Sequence, residues 1–278
     1  MNVKVITDST CDLPPELADR LNVHVVPLTV HFGEQEFRDG IDLDADPFYQ
    51  MLEEGGIHPS TSQPSVGAFI EAYEQFIGED CEIISIHISS KVSGTYNSAC
   101  QARKELGDPD NIHIIDSRHA AMSLGLMVIN AVEKLSAGLS CQQIEEELND
   151  SREQFQLFGL LDTLEYLKRG GRIGKASAFV GSLLRIKPIL SFAEGELHPV
   201  ARVRSLDKGL DKLVDMVKDC GELKSLAVMY STGSEIADAL HVRLEQFLPK
   251  EKIIQSRLGP VLGVHVGPNC IAVAVQMA

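Results

Sequence analysis

The sequence predicts an α/β protein of two parts, a parallel-sheet α/β domain over residues 1–154 and an α+β domain over residues 155–278. Short β-branched segments alternate with longer helical patterns up to about residue 151, and this order is typical of a parallel sheet with right-handed crossovers. The alternation ends near Phe155, after which strands and helices are mixed. The core is expected to be aliphatic, because 44% of the residues are hydrophobic but only 5% are aromatic and tryptophan is absent.

In the N-terminal part, β-branched runs predict strands and a 3.6-residue apolar period predicts helices. The strands are expected at residues 3–6, 23–26, 28–32, 83–88 and 111–115, and the helices at about 13–21, 46–54, 66–77, 96–106, 119–135 and 140–151. We interpret residues 23–64 as containing a small insertion of strands and loops. The helix at 119–135 is apolar on more than one face, so we expect it to be deeply buried or to line a cavity.

In the C-terminal part, the same criteria predict strands at residues 157–161, 186–191, 197–203, 225–230, 253–254 and 271–275. One helix is expected to end near residue 169, and three more are expected at 176–184, 205–217 and 234–247. Residues 259–268 are small, apolar and rich in glycine, and we assign them no regular element. His265 within this segment has two interpretations: a core histidine with satisfied hydrogen bonds, or a buried hydrogen-bond donor to a ligand.

Charge and cysteine usage exclude several classes of protein. A net charge of −15 argues against a nucleic-acid-binding protein. The six cysteines form no C-x-x-C pair, so their spacing gives no support to a zinc or redox site, and scattered thiols fit a reducing, cytoplasmic location. The chain begins in a predicted strand rather than a signal peptide, and no apolar run approaches ~18 residues. We therefore expect no integral membrane segment, although transient membrane contact is compatible with the sequence.

A cluster of hydroxyl side chains follows the predicted strand at 83–88 and precedes a helix. Such a turn lies at the carboxyl edge of a parallel sheet, where these folds bind ligands, and the helix start offers N–H groups that favour an anion. Ser93 and Thr95 are the candidate ligand-binding hydroxyls, and Gly94 allows the backbone to approach closely. The simpler interpretation is that Ser93 only caps the helix.

A second hydroxyl cluster lies in the predicted loop at 55–65. Ser65 is well placed to cap the helix that follows. Capping explains Thr61 and Ser62 less well, because they precede Pro64 and should be extended. We therefore treat Thr61 and Ser62 as further candidates for binding a ligand.

A basic segment interrupts this acidic chain: between Tyr166 and Ala193 there are six Lys or Arg residues and no acid. The pattern from Gly170 to Lys175 is similar to a P-loop but is one residue short and lacks the Ser/Thr that binds Mg²⁺. The segment is either a docking surface for an anionic partner or a solvated loop. The candidate docking residues are Lys168, Arg169, Arg172, Lys175, Arg202 and Arg204.

Five segments, in order and spread over nearly the whole chain, together resemble the DegV family of bacterial fatty-acid-binding proteins. They are T-D-S-T-C-D-L-P at 7–14, T-S-Q-P-S at 61–65, S-S-K-V-S-G-T-Y at 89–96, L-E-Y-L-K-R-G-G-R-I at 164–173 and G-V-H-V-G-P at 263–268. Each is weak alone, but all five in register are specific.

The resemblance implies a DegV-like two-domain protein that holds one long-chain fatty acid, such as palmitate, between its domains. It implies that hydroxyls matching Thr61 and Ser93, with His265, bind the carboxylate; Ser62, Gly94 and Thr95 adjoin them. It also implies an acyl carrier without catalytic residues, cofactor or metal, which presents the acid to a separate fatty acid kinase that forms the acyl phosphate.

Two other functions compete with a lipid carrier. A serine hydrolase or acyltransferase could use Ser93 with His265, but the G-x-S-x-G elbow is absent and no third group that orients the histidine is evident. A phosphate- or nucleotide-binding regulator could use the same strand–turn–helix, but the glycine-rich loop and Walker lysine are missing.

Overall fold

The computed structural model describes residues 2–77, 81–179 and 186–278. Its strands are β1 (Asn2–Asp8), β2 (Val23–Val26), β3 (Thr29–Phe32), β4 (Gln35–Arg38), β5 (Ser60–Ser62), β6 (Cys81–His87), β7 (Ile112–Asp116), β8 (Phe155–Leu160), β9 (Lys187–Ala193), β10 (Glu196–Val203), β11 (Leu223–Tyr230), β12 (Ile253–Arg257) and β13 (Ile271–Met277). Its α-helices are α1 (Pro15–Arg20), α2 (Ala45–Glu54), α3 (Val66–Glu74), α4 (Thr95–Glu105), α5 (Ala121–Ser136), α6 (Cys141–Asp150), α7 (Glu165–Arg169), α8 (Leu206–Asp219), α9 (Ser234–Leu244) and α10 (Pro260–Val266).

The first sheet is parallel, with the strand order β2-β1-β6-β7, as the alternation of strands and helices predicts. Successive side chains of a strand point to opposite faces. Ile84 and Ile86 of β6 therefore pack with residues of α5 and α6, while Ile83 packs with residues of α3 and α4. Both faces are covered by helices, which explains why the strands of this sheet are almost continuously apolar.

The second sheet is mixed, with the order β10-β9-β8-β13-β11-β12. Strands β11 and β12 are parallel, and the other neighbours are antiparallel. Helix α5 lies between the two sheets: it packs on β1 and β6 on one side and on β8 and β13 on the other, and α8 and α9 cover the far face of the mixed sheet. The prediction of a deeply buried helix is thus confirmed, and its all-round apolar surface reflects contact with both sheets.

A small antiparallel sheet with the order β4-β3-β5 was only partly predicted. The sequence predicts loops for β4 and β5, because Q-E-F-R and S-T-S lack the apolar pattern that marks a buried strand. Their backbones pair with β3 at the edges of the sheet, so their stability does not depend on buried side chains. Gly33, at a φ of 64°, makes the tight turn between β3 and β4.

Helix α10 was also missed. Gly263 lowers the helix propensity of this segment, but Pro260 at the first turn fixes a helical φ and Gly259 is the N-cap. Gly263 has a packing role, because a Cβ at this position would overlap the Phe48 ring of α2. The low intrinsic helix propensity is therefore offset by close packing of α10 on α2, β3 and α7.

Several helix ends differ from the prediction. Ser93 is not an N-cap: Gly94 holds that position and α4 begins at Thr95. The predicted helix at 176–184 is, over its described part, a 3₁₀ turn from Gly174 to Phe179; residues 180–185 lie outside the described part of the chain. No helix of the described residues is long and apolar enough to cross a membrane.

Candidate functional site

Thr61 and His265, which are 204 residues apart in sequence, meet in the structure. Thr61 is the middle residue of strand β5, and His265 lies in the last turn of α10. Thr61 Oγ1 and His265 Nε2 are 3.0 Å apart, a hydrogen bond in which either group can donate. Both residues line the same cavity. The contact thus joins two of the segments that carry the family resemblance.

His265 is neutral at physiological pH and keeps unused hydrogen-bonding capacity. Burial, with smaller contributions from nearby Arg172 and His58, lowers its pKa to about 4. Its second ring nitrogen, Nδ1, is buried and has no partner among the residues described. That nitrogen lies against Gly170, where a Cβ would overlap it, so glycine is required for the imidazole to take this position. A buried polar atom without a partner is uncommon and is a feature of functional sites.

Ser93 lies on the same cavity at the start of α4. Its Oγ is 2.8 Å from Thr95 Oγ1 and accepts a longer bond, 3.3 Å, from the Thr95 backbone N–H. Thr95 is fully buried, so it supports Ser93 from behind rather than facing the cavity. A Cβ on Gly94 would lie 2.7 Å from Gln63 Nε2, and Gly94 thus allows Gln63 to approach.

Ser62 differs from its neighbour Thr61 in the direction of its hydroxyl. Adjacent residues of a strand point to opposite faces, and Ser62 Oγ is 2.9 Å from His31 Nε2 of β3. The hydroxyl of Ser62 is therefore engaged within the small sheet. Ser62 still borders the cavity, as do Gln63 and Arg172, and neither Gln63 nor Arg172 is among the residues that the sequence predicts to bind the ligand. Gln63 follows the selected hydroxyls directly, which is the sequence signal that could have identified it.

The cavity that these groups adjoin is apolar over most of its wall. Its walls come from the turn after β6, the start of α5, strands β8 and β9, and helix α10. Representative residues are Ile88, Leu157, Leu161, Leu190, Phe192 and Leu258. Polar groups therefore meet in one part of a cavity whose other walls are aliphatic, an arrangement that suits a molecule with one polar end and a long apolar part.

The basic segment is less positive in the structure than in the sequence. Lys175 Nζ is paired with Glu194 at 3.0 Å and Glu196 at 3.2 Å, both in or beside the β9–β10 hairpin. Arg169 is paired with Glu165. Arg172, another candidate docking residue, lines the cavity and donates to the carbonyl groups of Val92 and Gly170. Arg202 stacks on the ring of Phe179. Lys168 and Arg204 are exposed and form no ion pair with a described residue.

The structure gives the hydrolase interpretation no geometric support. Ser93 bonds to Thr95 and His265 bonds to Thr61, and no carboxylate of the described residues bonds to His265 Nδ1. A Ser–His–Asp chain does occur in the parallel sheet, where His87 lies 2.7 Å from Ser85 Oγ and 3.0 Å from Asp8 Oδ2. All three side chains are fully buried, so no substrate reaches that serine.

Comparison with known proteins identifies the family. The family model described as "Uncharacterised protein, DegV family" matches residues 2–278. Among curated relatives, Protein DegV of Bacillus subtilis (strain 168) is 31% identical over 98% of both chains, and a DegV domain-containing protein of Staphylococcus aureus (strain N315) is 35% identical over 96% of this chain and 94% of its own.

Solved structures agree. A fatty-acid-binding DegV family protein from Thermus thermophilus has a TM-score of 0.93 and 34% identity over the full length of both chains. DegV from Bacillus subtilis, described as a fatty acid binding protein, has a TM-score of 0.89 and 32% identity over the same extent. A stearic acid-binding protein from Eubacterium ventriosum has a TM-score of 0.90 and 27% identity, over 99% of this chain and 98% of its own. This chain therefore belongs to the DegV family.

Proposed function

We propose that this protein binds one long-chain fatty acid, such as palmitate, in the apolar cavity. The observation that carries the proposal is the meeting of Thr61 and His265 at 3.0 Å beside Ser93, on a cavity with mostly aliphatic walls. Fatty acid binding by the relatives from Thermus thermophilus and Bacillus subtilis supports it. We further propose that residues 1–154 and 155–278 form two domains with the ligand between them.

The head group binds through neutral donors. A carboxylate accepts hydrogen bonds from hydroxyl groups, and bonds to a charged acceptor contribute about 1.5–3 kcal/mol each. Thr61 and Ser93 supply two hydroxyls, and the neutral imidazole of His265 can donate from one ring nitrogen. Gly94 and Thr95 hold Ser93 in place. Arg172 on the cavity wall adds a positive charge near the carboxylate without forming a buried ion pair.

The acyl tail supplies most of the affinity. Transfer of one methylene from water to an apolar site contributes ~0.8 kcal/mol, so about 14 methylenes give a gross gain of roughly 11 kcal/mol before the costs of association and ordering. The head-group bonds are individually smaller, and their role is to fix which end of the ligand lies at the polar wall. This division of roles predicts that tail length sets affinity and that the hydroxyls set orientation.

The protein itself acts as an acyl carrier and not as a catalyst. In this proposal a separate fatty acid kinase phosphorylates the bound carboxylate to an acyl phosphate. The exposed cations Lys168 and Arg204 are the residues on which we place the docking surface, because the acids beside Arg169 and Lys175 neutralise those two side chains. Arg202 is not assigned to the docking surface. Its charge is exposed, but its guanidinium stacks on Phe179.

Native mass spectrometry of freshly purified protein tests fatty acid binding. We expect a species heavier by one C14–C18 acid, which is lost after delipidation and restored by adding palmitate. A bound nucleotide or inorganic phosphate would favour the regulator, and failure of delipidated protein to take up palmitate would refute the proposal.

Charge reversal tests the docking surface separately. Lys168→Glu with Arg204→Glu should leave palmitate affinity unchanged but slow acyl phosphate formation by the kinase. Lys252→Glu is the matched control, because this exposed residue precedes β12 at the opposite edge of the mixed sheet from β10. Equal rates for the double variant and the control would remove Lys168 and Arg204 from the interface.

A further inference from the structure

A cluster of potential metal ligands lies on the parallel sheet, away from the lipid cavity. Glu82 is the second residue of β6, His113 is the second residue of β7, and Cys141 is the first residue of α6. They lie at the amino ends of the strands, whereas the Ser93 turn lies beyond the carboxyl end of β6. None of the three lines the cavity.

The strand register brings these side chains together. His113 is paired with Ile84, and Glu82 shares the face of Ile84 because it lies two residues earlier in the strand. That face packs against α6, which contributes Cys141. One ligand atom from each of the three residues lies within 4.8 Å of the others, and His113 Nε2 is 3.9 Å from Glu82 Oε1.

The distance between His113 Nε2 and Glu82 Oε1 is close to that in a tetrahedral zinc site. Zinc binds imidazole nitrogen and carboxylate oxygen at about 2.0–2.2 Å and thiolate sulfur at about 2.3 Å, which separates neighbouring ligand atoms by about 3.4–3.7 Å. The observed His113–Glu82 distance exceeds this value by a few tenths of an ångström. The Glu82 side chain is about one quarter exposed and is therefore not locked in place by packing.

The imidazole of His113 is oriented as in known metal sites. Glu145, one turn after Cys141 on α6, places Oε2 2.9 Å from His113 Nδ1. A carboxylate that accepts from one ring nitrogen fixes the tautomer and leaves the lone pair on the other, which here is Nε2 facing Glu82 and Cys141. This carboxylate–histidine pair is an observation separate from the cluster itself.

The cluster offers more hydrogen-bond acceptors than hydrogen-bond donors. In a neutral imidazole whose Nδ1 donates to Glu145, Nε2 is an acceptor, the Glu82 carboxylate is an acceptor, and only the Cys141 thiol can donate. No Lys or Arg among the residues of known position forms an ion pair with Glu82 or Glu145.

A second cluster in the chain shows the contrast. Glu194, Glu196 and His198 also converge, but Lys175 already occupies their centre, with Nζ 3.0 Å and 3.2 Å from the two carboxylates and 3.4 Å from His198 Nε2. That cluster has its own cation. Within the described ranges, no lysine or arginine side chain supplies a cation to the cluster of Glu82, His113 and Cys141.

We propose that Glu82, His113 and Cys141 bind a zinc ion, with water at the fourth position and Glu145 positioning His113. The mixture of thiolate, imidazole and carboxylate favours zinc over the hard cations Mg²⁺ and Ca²⁺. Binding replaces the thiol proton of Cys141, which passes to the buffer, by a zinc–sulfur bond. His113 and Glu82 are partly exposed, so the ion has a route from solvent.

The consequence for the protein is a link between β6, β7 and α6. A ligand that binds only the folded state raises stability in proportion to the logarithm of its concentration above Kd. The site is independent of the proposed lipid binding, because its residues do not contact the cavity.

The test uses the full chain after chelator treatment. Cobalt(II) is added as a spectroscopic probe, and zinc affinity is measured by competition with a chromophoric chelator. We expect one equivalent of cobalt, a sulfur-to-cobalt charge-transfer band in the near ultraviolet, displacement of that band by zinc, and an increase in Tm with zinc.

Variants identify the ligands. Cys141→Ser should abolish the charge-transfer band and weaken zinc binding at least ~10-fold, and Glu145→Gln should weaken it about 10- to 100-fold with the band retained. Cys220→Ser, a half-buried thiol after α8, is the matched control and should behave as the parent. The proposal is overturned if the parent shows no band, or if Cys81→Ser rather than Cys141→Ser removes it. Circular dichroism establishes that each variant is folded.

Discussion

Removing the two hydroxyls of the polar wall tests the head-group assignment. The double variant Thr61→Val with Ser93→Ala keeps the shape of both side chains but deletes both donors. Thr61 Oγ1 is held toward the cavity by His265, and Ser93 Oγ by Thr95. Neither interaction should be essential for folding, since both residues are only partly buried.

The magnitude follows from the bonds that are lost. Each hydrogen bond to a carboxylate contributes about 1.5–3 kcal/mol, and we use the lower value because water can reach partly exposed hydroxyls. Two such bonds give about 3 kcal/mol, and each 1.4 kcal/mol is a factor of ten, so palmitate affinity should fall about 100-fold. The two losses need not be additive, because both groups contact one ligand.

Equilibrium dialysis with labelled palmitate measures this loss, and 1-hexadecanol provides the reference ligand. The alcohol has the same tail but no charge, so its affinity should fall much less than that of the acid. Ser60→Ala, an exposed residue of β5, is the matched control variant. Equal losses for acid and alcohol, or no loss for either, would refute the assignment of the carboxylate to this wall; the Tm of each variant establishes that it is folded.

Three further predictions concern single residues, two at the site and one buried carboxyl elsewhere. Gly170→Ala should displace the imidazole of His265, because the added methyl group overlaps Nδ1, and should weaken palmitate binding while Tm changes little; unchanged affinity would mean that His265 has no part in binding. Ser62→Ala should change palmitate affinity by less than ~3-fold, because its hydroxyl bonds to His31, and a large loss in the dialysis assay would contradict the described orientation. Burial raises the pKa of Asp39 from its ordinary value of 3.8 to about 7, so its contribution to stability is present at low pH and is lost as the pH rises through 7. From pH 5 to pH 8 the parent should therefore lose roughly 2–3 kcal/mol more unfolding free energy than Asp39→Asn, as measured by urea denaturation; parallel pH profiles would show that this carboxyl is not perturbed.

The fold was predictable where burial of an element requires a recognisable pattern of apolar residues. Strand β6 and helix α5 are apolar because they lie in the interior, and both were identified within a few residues. Strands β4 and β5 were not, because they are held by backbone pairing and carry polar side chains. Helix α10 was missed because Gly263 serves close packing against Phe48, a tertiary requirement that local propensity cannot express.

The site was predictable in its parts but not in its assembly. The hydroxyl turns drew attention to Thr61 and Ser93 separately, and the family resemblance joined them to His265. Residue patterns alone could not predict that contact, because Thr61 and His265 are 204 positions apart in the sequence. The opposite directions of Thr61 and Ser62 follow from strand pairing, which was not foreseen. The cluster of Glu82, His113 and Cys141 is likewise a product of register, since no short motif connects it.

The most direct measurement is a crystal structure of the protein soaked with palmitate. We expect continuous density in the apolar cavity, with one carboxylate oxygen within hydrogen-bonding distance of Thr61 Oγ1 and Ser93 Oγ and the tail running between strands β8 and β9 and helix α10. A carboxylate bound elsewhere, or a tail that lies outside this cavity, would contradict this expectation.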